Sequence, residues 1–105
     1  MTNGYSITIT TVSGKEAAAA ISRLLVEKRL AACVQMFPVE SIYSWQDKIC
    51  QDNEIVLFIK SKTALFNEIK AFIKENHSYE VPQIIQVPVT DGLAEYLKWI
   101  DESVI

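Results

Sequence analysis

An α+β sandwich in a single domain is the fold class that the sequence predicts, on three observations. Segments with a side-chain period of two alternate with segments of helical period in the order β-α-β-β-α-β. A helix that joins two strands needs a crossover connection, which places both helices on one face of an antiparallel sheet. The chain has 105 residues, half of them hydrophobic, with only three Pro and three Gly. Residues 1–105 are therefore expected to form one globular domain with a real core.

The first strand is predicted over residues 5–12, and a helix is predicted directly after it. The stretch YSITITTV alternates apolar residues with Ser and Thr, as a half-buried strand does. Next, Ser13 and Glu16 match the Ser-x-x-Glu capping box, which predicts the start of a helix. That helix should end near Arg29. Helical spacing gives it an apolar stripe of Ala17, Ala20, Ile21, Leu24 and Leu25.

The two middle strands are predicted to form an unusually long hairpin. The first runs from Ala32 as ACVQMFPVESIYSWQ, and the second returns after a tip at residues 46–48 as ICQDNEIVLFIKS. The run IVLFI (55–59) indicates a central strand, whereas Pro38 cannot donate to a ladder and marks an edge, a bulge or a bend. Strands of about 12 to 15 residues exceed the usual length of about 3 to 10. The excess would leave a bare edge, so we expect another subunit to cover it.

The second helix is predicted to follow Thr63 and to end near His77. Its apolar face consists of Leu65, Phe66, Ile69, Phe72 and Ile73. Pro82 ends any helical possibility, because the residue before a proline is pushed to extended geometry. The remaining segments are a fourth strand, QIIQVPVT, a turn at Asp91-Gly92 and a short helix, LAEYLKWI. The fold is thus predicted to be a ferredoxin-like β-α-β-β-α-β sandwich with an extended β-hairpin and a C-terminal helix.

The composition argues against several classes of function. The net charge is −3 and the ten Lys and Arg are scattered, so the chain lacks the basic stripe of a nucleic-acid-binding protein. No stretch reaches the roughly 20 apolar residues of a membrane span, and the first residues have no signal-peptide pattern. Cys33 and Cys50 lack Cys-x-x-Cys spacing and are interpreted as free thiols of a reducing compartment. We expect a cytoplasmic protein with no nucleic-acid and no membrane partner.

Four collinear segments resemble one known family. They are LVEKRLAACVQMFPVESIYSWQDKI (25–49), EIVLFIKS (54–61), HSYEVPQIIQVPV (77–89) and YLKWI (96–100). Together they are similar to the CutA divalent-cation-tolerance family over almost the whole chain. The resemblance implies a ferredoxin-like protomer in a tight homotrimer, related in architecture to the PII signalling proteins. It also implies a role in the response to copper and other divalent metal ions, and no enzymatic activity.

The sequence departs from the family pattern at positions that bear on metal binding. Some members place a cysteine at the end of the first strand and a second histidine before the motif histidine, and both have been proposed as copper ligands. Thr10 and Asn76 hold those positions here. Two further departures are Ser78, which replaces a proline, and the tip Trp45-Gln46-Asp47-Lys48, where Asp47 can still adopt the left-handed conformation. Copper binding carried over from the family would therefore lose two soft or imidazole ligands.

His77 and Cys33 are the candidate metal ligands, and each has a structural alternative. His77 is the only histidine in the chain, and at a helix C-terminus it can bond the last carbonyls and interact with the helix dipole. Cys33 suits close packing at the start of a strand, or soft ions such as Cu(I) or Zn(II) when deprotonated. A stable site takes three or four ligands, so other subunits would have to contribute. We expect no required cofactor and at most weak binding of Cu(II) or another divalent cation.

A second group of residues is predicted to serve a ligand site or a subunit interface. Aromatic side chains dominate interface cores, and Glu80 is a carboxylate that Lys60 of the central strand could neutralise. The group consists of Tyr43, Trp45, Lys60, Tyr79, Glu80 and Trp99. Trp45, Tyr43 and Trp99 are interpreted as interface anchors, and Tyr79 with Glu80 as neighbours of a subunit junction.

Three functions remain open at this point. The leading hypothesis is a trimeric, non-enzymatic module that binds a metal or a small ligand between subunits. An acylphosphatase-like hydrolase would need an anion-binding loop after the first strand with a positioned arginine, and TTVSGKE offers Gly14 and Lys15 but no arginine. A purely structural assembly or anchoring unit is the third possibility. No Ser-His-Asp set, no Gly-rich phosphate loop and no His-Glu-x-x-His pattern is present.

Overall fold

The computed structural model describes residues 4–105 and has the predicted element order. The strands are β1 (Tyr5–Val12), β2 (Cys33–Trp45), β3 (Lys48–Lys62) and β4 (Ile84–Pro88). The helices are α1 (Lys15–Glu27), α2 (Phe66–Asn76) and α3 (Ala94–Ser103), and a 3-10 turn at Thr63–Leu65 leads into α2. The strands form one antiparallel sheet in the order β2-β3-β1-β4. The α+β prediction is confirmed.

The core lies between the sheet and its helices. Leu57 and Ile59 of the central strand are fully buried, as is Leu25 of α1. Ile69 and Ile73 of α2 join the same cluster, as the apolar face of the second predicted helix requires. Burial of each such side chain is worth about 1.5 to 3 kcal/mol. No helix within residues 4–105 has the length and hydrophobicity that a membrane crossing requires.

The side of strand β1 that faces the helices carries Ser and Thr, whereas its alternating pattern suggests that the isoleucine side would be the buried one. Ser6, Thr8 and Thr10 are buried at 4, 2 and 0 % exposure, whereas Ile7 and Ile9 are only half-buried. The hydroxyls are short enough to fit beneath the helices, and Ser6 bonds to the hydroxyl of Thr63. Strict alternation identified the strand correctly but did not determine which face is covered by helices.

The isoleucines of β1 belong to a continuous apolar surface on the opposite side of the sheet, which we call the open face. Directly paired residues of antiparallel strands project to the same side, so the register identifies its members. Phe37 and Phe58 meet there edge to face with ring centroids 5.1 Å apart. The open face consists of Phe37, Val56, Phe58, Ile7, Ile9, Ile85 and Val87. An apolar sheet face of this extent is typical of a protein–protein interface.

Helix α1 differs from its prediction at both ends and along its buried stripe. Its N-cap is Gly14, with no side-chain cap, so the Ser13–Glu16 capping box does not form. The stripe is rotated as well: Ala17, Ala20 and Leu24 are exposed, and the buried residues are Ala18, Ile21, Ser22 and Leu25. The reason is that β1 presents hydroxyls to the helix, which small and polar side chains can pack against.

The C-terminus of α1 is a Schellman motif with arginine in the position that glycine usually holds. Arg29 has a φ of 58°, its N–H donates to the carbonyl of Val26, and the N–H of Leu30 donates to the carbonyl of Leu25. The helix therefore ends at Glu27, two residues before the predicted end. The guanidinium of Arg29 reaches the last carbonyls of α3, from Glu102 to Val104, at 3.3 to 3.5 Å, and these contacts offset the backbone strain.

The long hairpin is confirmed, with 13 residues in β2 and 15 in β3. Pairing is continuous from Cys33 opposite Lys60 to Trp45 opposite Lys48. Pro38 lies in β2, which is an edge strand of the sheet, and edge strands tolerate proline. The outer half of the hairpin carries exposed apolar side chains, including Ile42 at 69 % and Ile49 at 83 % exposure.

Candidate functional site

A cleft of about 580 Å³ lies between the long hairpin and the segment that follows α2. Its aromatic lining is Tyr43 and Trp45 of β2 together with Tyr79. Its carboxylates are Glu54 of β3 and Glu80. No lysine, arginine or histidine of residues 4–105 lines it. Four of the residues predicted for a ligand site or interface, those at 43, 45, 79 and 80, thus lie around one concave, acidic surface.

Tyr79 and Glu54 form the central contact of the cleft. The Tyr79 hydroxyl donates to Glu54 Oε2 at 2.8 Å, and Glu54 is 8 % exposed. Burial, followed by the hydrogen bond to Glu54, raises the pKa of the Tyr79 phenol far above its usual value. Tyr79 therefore remains a neutral hydrogen-bond donor at physiological pH and orients the Glu54 carboxylate.

A second tyrosine–carboxylate pair lies on the hairpin beside the cleft. The Tyr43 hydroxyl donates to Asp52, on the neighbouring strand. That hydrogen bond, with smaller contributions from burial and nearby negative charge, raises the pKa of Tyr43 to about 12. Both hydroxyls are thus committed to carboxylates, and a ligand could contact the Tyr43 ring and the part of the Tyr79 ring that His77 does not cover.

His77 connects the end of α2 to β1 through both of its ring nitrogens. Nε2 lies 2.6 Å from the backbone carbonyl of Thr11, and Nδ1 accepts the backbone N–H of Tyr79 at 3.0 Å. Since Nδ1 accepts, Nε2 carries the proton, so the neutral ring satisfies both bonds. The imidazole also packs against the Tyr79 ring in a tilted arrangement, with 4.6 Å between centroids and 53° between the ring planes. A metal ion could bind His77 only if one of these hydrogen bonds opened.

Lys60 and Trp99 lie at a different part of the sheet from the cleft. The Lys60 ammonium sits 5.5 Å from the centre of the Tyr96 ring, and Tyr96 is 5.6 Å from Trp99 on α3. The predicted neutralisation of Glu80 by Lys60 does not occur within residues 4–105, where the one ion pair joins Lys62 to Asp101. The physical reason is that α3 lies over this end of β3 and attracts Lys60 through its aromatic face.

The candidate metal ligands do not converge in one chain. Cys33 is half-buried and pairs with Lys60, whereas His77 contacts β1 at Thr11, which pairs with Val56. Those two levels of β3 are separated by roughly 13 Å along the strand. Residues 4–105 contain no group of three His, Cys, Asp or Glu that could hold a metal ion. The side chains of one protomer therefore do not fit a complete metal site.

A second cleft, of about 520 Å³, lies at the start of α1, where the hydrolase hypothesis requires an anion site. Gly14 and Lys15 line it, as that hypothesis expects, but Glu40 and Glu54 line it too. Two carboxylates oppose the binding of a phosphate, and the described lining includes no arginine. The geometry gives no support to an acylphosphatase-like site.

Glu54 is the residue of the cleft that sequence reasoning missed. In the sequence it directly precedes the hydrophobic run at 55–59, a position typical of a polar residue at the end of a buried strand segment. Its position opposite Val39 in the hairpin register places it on the same side of the sheet as Phe58 and Val56. A carboxylate two residues from Val56 on the same side of a central strand is the signal that could have identified it.

The chain is similar to known proteins over nearly its whole length. Residues 6–103 match the family described as CutA1 divalent ion tolerance protein. A divalent-cation tolerance protein CutA of Thermus thermophilus is 41% identical over 98 residues, which are 92% of this chain and 95% of that protein. The human protein CutA is 40% identical over 90% of this chain, and the match spans 54% of the human protein.

A solved structure is similar at the level of the whole fold. The protein of Archaeoglobus fulgidus, described as a periplasmic divalent cation tolerance protein CutA, superposes with a TM-score of 0.95. The match has 38% sequence identity and covers 96% of this chain and 99% of that one. The agreement extends to the long hairpin and the terminal helix, because almost no residue of either chain falls outside it.

Proposed function

The chain belongs to the CutA1 divalent ion tolerance family, and from that membership we propose a non-enzymatic, homotrimeric module that holds a divalent cation or a small ligand between subunits. Family membership makes it a divalent-cation tolerance protein. We propose, beyond that, a binding and signalling role, a trimeric assembly and a cytoplasmic location. The free thiols of Cys33 and Cys50 suit a reducing compartment.

The open face is the observation that carries this proposal. It leaves Val87 at 42 % and Ile85 at 47 % exposure, and the hairpin adds Ile42 and Ile49 beyond the sheet. Closed assembly of identical subunits would cover these surfaces and protect the β2 edge from open-ended pairing. Three copies meeting at such faces would also bring ligand atoms from different chains together.

Metal binding is proposed to depend on that assembly and to be weak. Residues 4–105 of one chain contain no complete ligand set, so His77 and Cys33 would need donors from neighbouring subunits. His77 would also lose a hydrogen bond to Thr11 or Tyr79 on coordination. We expect dissociation constants in the micromolar range or weaker, which corresponds to about −8 kcal/mol or less in magnitude.

The test compares assembly and metal binding in two matched variants. Val87→Lys places a charge on the open face, and Leu24→Lys places the same charge at an equally exposed position of α1, with 42 and 41 % exposure respectively. Light scattering after gel filtration should give three chain masses for the wild type and Leu24→Lys, and a smaller species for Val87→Lys. Titration calorimetry with Cu(II) and Zn(II) should show weak binding by the two trimers and none by Val87→Lys.

Two outcomes would contradict the proposal. A monomeric wild type would remove its basis, and so would unchanged copper binding by a dissociated Val87→Lys protein. A trimer that binds neither ion nor any small ligand would favour the purely structural unit.

A further inference from the structure

The cleft between the hairpin and the segment after α2 contains a buried acidic group with no counter-charge. Glu54 is more than nine-tenths buried, and within residues 4–105 only its Oε2 atom has a hydrogen-bond partner, the Tyr79 hydroxyl. No cation of the described chain forms an ion pair with it. A buried carboxylate without a cation is energetically costly, and a positively charged group in the cleft would offset that cost.

The rest of the lining restricts what that positive group can be. A hard divalent ion takes about six oxygen ligands, and residues 4–105 offer no cluster of three ligating side chains. The lining mixes polar side chains with aromatic rings and apolar side chains, the latter including Trp45, Tyr43, Ile42 and Val81. Cations attached to an organic body are attracted to the faces of such rings, and the carboxylate accepts their N–H groups.

The size of the cleft agrees with this chemistry. A volume of about 580 Å³ falls within the range of about 300 to 1,000 Å³ that small-molecule sites occupy. Glu80 at the rim adds a second negative charge, and anions are disfavoured because no basic side chain of the described chain lines the cleft. A ligand with one ammonium or guanidinium group and a short apolar chain fits all three features.

We propose that this cleft binds a small organic cation with N–H donors, a primary ammonium or a guanidinium, with Glu54 as its charge partner and Trp45 and Tyr43 as its aromatic wall. The inference rests on the proposed function as a ligand-binding module and names the chemical class of the ligand. It is independent of the metal part of that function.

The test uses titration calorimetry of the whole protein in the presence of EDTA, with n-butylguanidinium and n-butylammonium as probes. Butanol and butanoate have the same chain without the positive charge and serve as matched ligands. We expect the cations to bind the wild type and the two matched ligands not to bind. Glu54→Gln keeps an oxygen for the Tyr79 hydroxyl but removes the charge, and should weaken cation binding at least tenfold.

Glu95→Gln in the first turn of α3 removes a carboxylate outside the cleft and should leave the affinity unchanged. If Glu54→Gln does not fold by circular dichroism, Trp45→Leu tests the aromatic wall and should also weaken binding of both cations. Absence of cation binding by the wild type overturns the inference, as does equal binding by Glu54→Gln. Binding only by the dissociated Val87→Lys protein overturns it too, since a neighbouring subunit would then fill the cleft.

A parallel titration with Cu(II), without EDTA, separates this inference from the proposed function. Loss of the organic-cation signal with metal binding intact contradicts only the assignment of the cleft. Organic-cation binding by a trimer that binds no metal supports the assignment and contradicts the metal role.

Discussion

Thr10 is the residue whose chemistry differs most from its surroundings. It is fully buried in β1, and its hydroxyl has no hydrogen-bond partner within residues 4–105; Ser22 of α1 shares this condition. A buried hydroxyl without a partner costs about 1 to 3 kcal/mol of stability.

We expect Thr10→Val to stabilise the protein by about 1 kcal/mol, because it removes the unpaired hydroxyl and keeps the branched shape. Urea unfolding at fixed protein concentration measures the change. Ser61→Ala is the matched opposite, since the Ser61 hydroxyl donates to the carbonyl of Leu30 at 2.6 Å and its loss should destabilise by a similar amount. A Thr10→Val protein less stable than the wild type would show that the hydroxyl is satisfied in solution.

At the residue scale, the sequence predicted more of the cleft than of the metal ligands. Tyr43 and Trp45 were predicted as ligand or interface residues because they are aromatic and lie on the overlong hairpin, and Tyr79 because it lies in the extended link before Pro82; all three line the cleft. Glu54 was missed since its burial depends on the pairing of β2 with β3, which is a long-range property. The hydrogen bonds of the two His77 ring nitrogens involve Thr11 and Tyr79, and the contact with Thr11 is long-range, so these bonds could not be predicted from the sequence either.

Among the elements, the hairpin turn shows how the chain accepts local strain. Gln46 and Asp47 both have positive φ, at 51° and 64°, in a two-residue loop between the paired Trp45 and Lys48. Two such residues characterise the type I′ turn, which favours Asn-Gly. The sequence anticipated the left-handed Asp47 but not Gln46, because the short side chain of aspartate tolerates this conformation and that of glutamine is poorly suited to it.

Replacing the turn by Asn-Gly, as Gln46→Asn with Asp47→Gly, should stabilise the protein by about 1 kcal/mol, since both new residues adopt positive φ more readily. Thermal unfolding monitored by circular dichroism measures the gain. Asn53→Gly puts a glycine in the paired part of β3 instead and should destabilise, because glycine weakens a strand interior. An Asn-Gly variant that melts below the wild type would contradict the assignment of the turn.

Element positions were predictable wherever one local pattern determined them. β1 and the end of α2 near His77 were predicted closely, because alternation and the proline at 82 leave little freedom. The predicted face of α1 was right for Ile21 and Leu25 and wrong for Ala17, Ala20 and Leu24, which have the same spacing as a buried stripe but are exposed. Which small residues of α1 are buried depends on the packing of the helix against the Ser and Thr side of β1, which is a tertiary contact.

At the scale of the whole molecule, either side of strand β1 could in principle pack against the helices. Ile7 and Ile9 face away from α1 and α2, whereas Ser6, Thr8 and Thr10 lie beneath them. A slip of one residue in the pairing of β1 would exchange the two sets. We expect the slipped arrangement to bury more apolar surface under the helices of an isolated chain, because Ile7 and Ile9 would replace hydroxyl-bearing side chains there.

The open face therefore implies that an isolated chain and an assembled chain favour different pairing registers of β1. In the proposed assembly other copies would cover Ile7 and Ile9 and so stabilise the native register, and on that proposal we expect frustration in the free chain and a kinetic trap with β1 slipped. Refolding from denaturant should show a slow phase whose amplitude falls as protein concentration rises, and Ile9→Thr should reduce it by weakening the slipped state. A slow phase that responds to neither change would instead indicate proline isomerisation. Association would thus select the native register of β1, because only chains with that register present the open face to other copies.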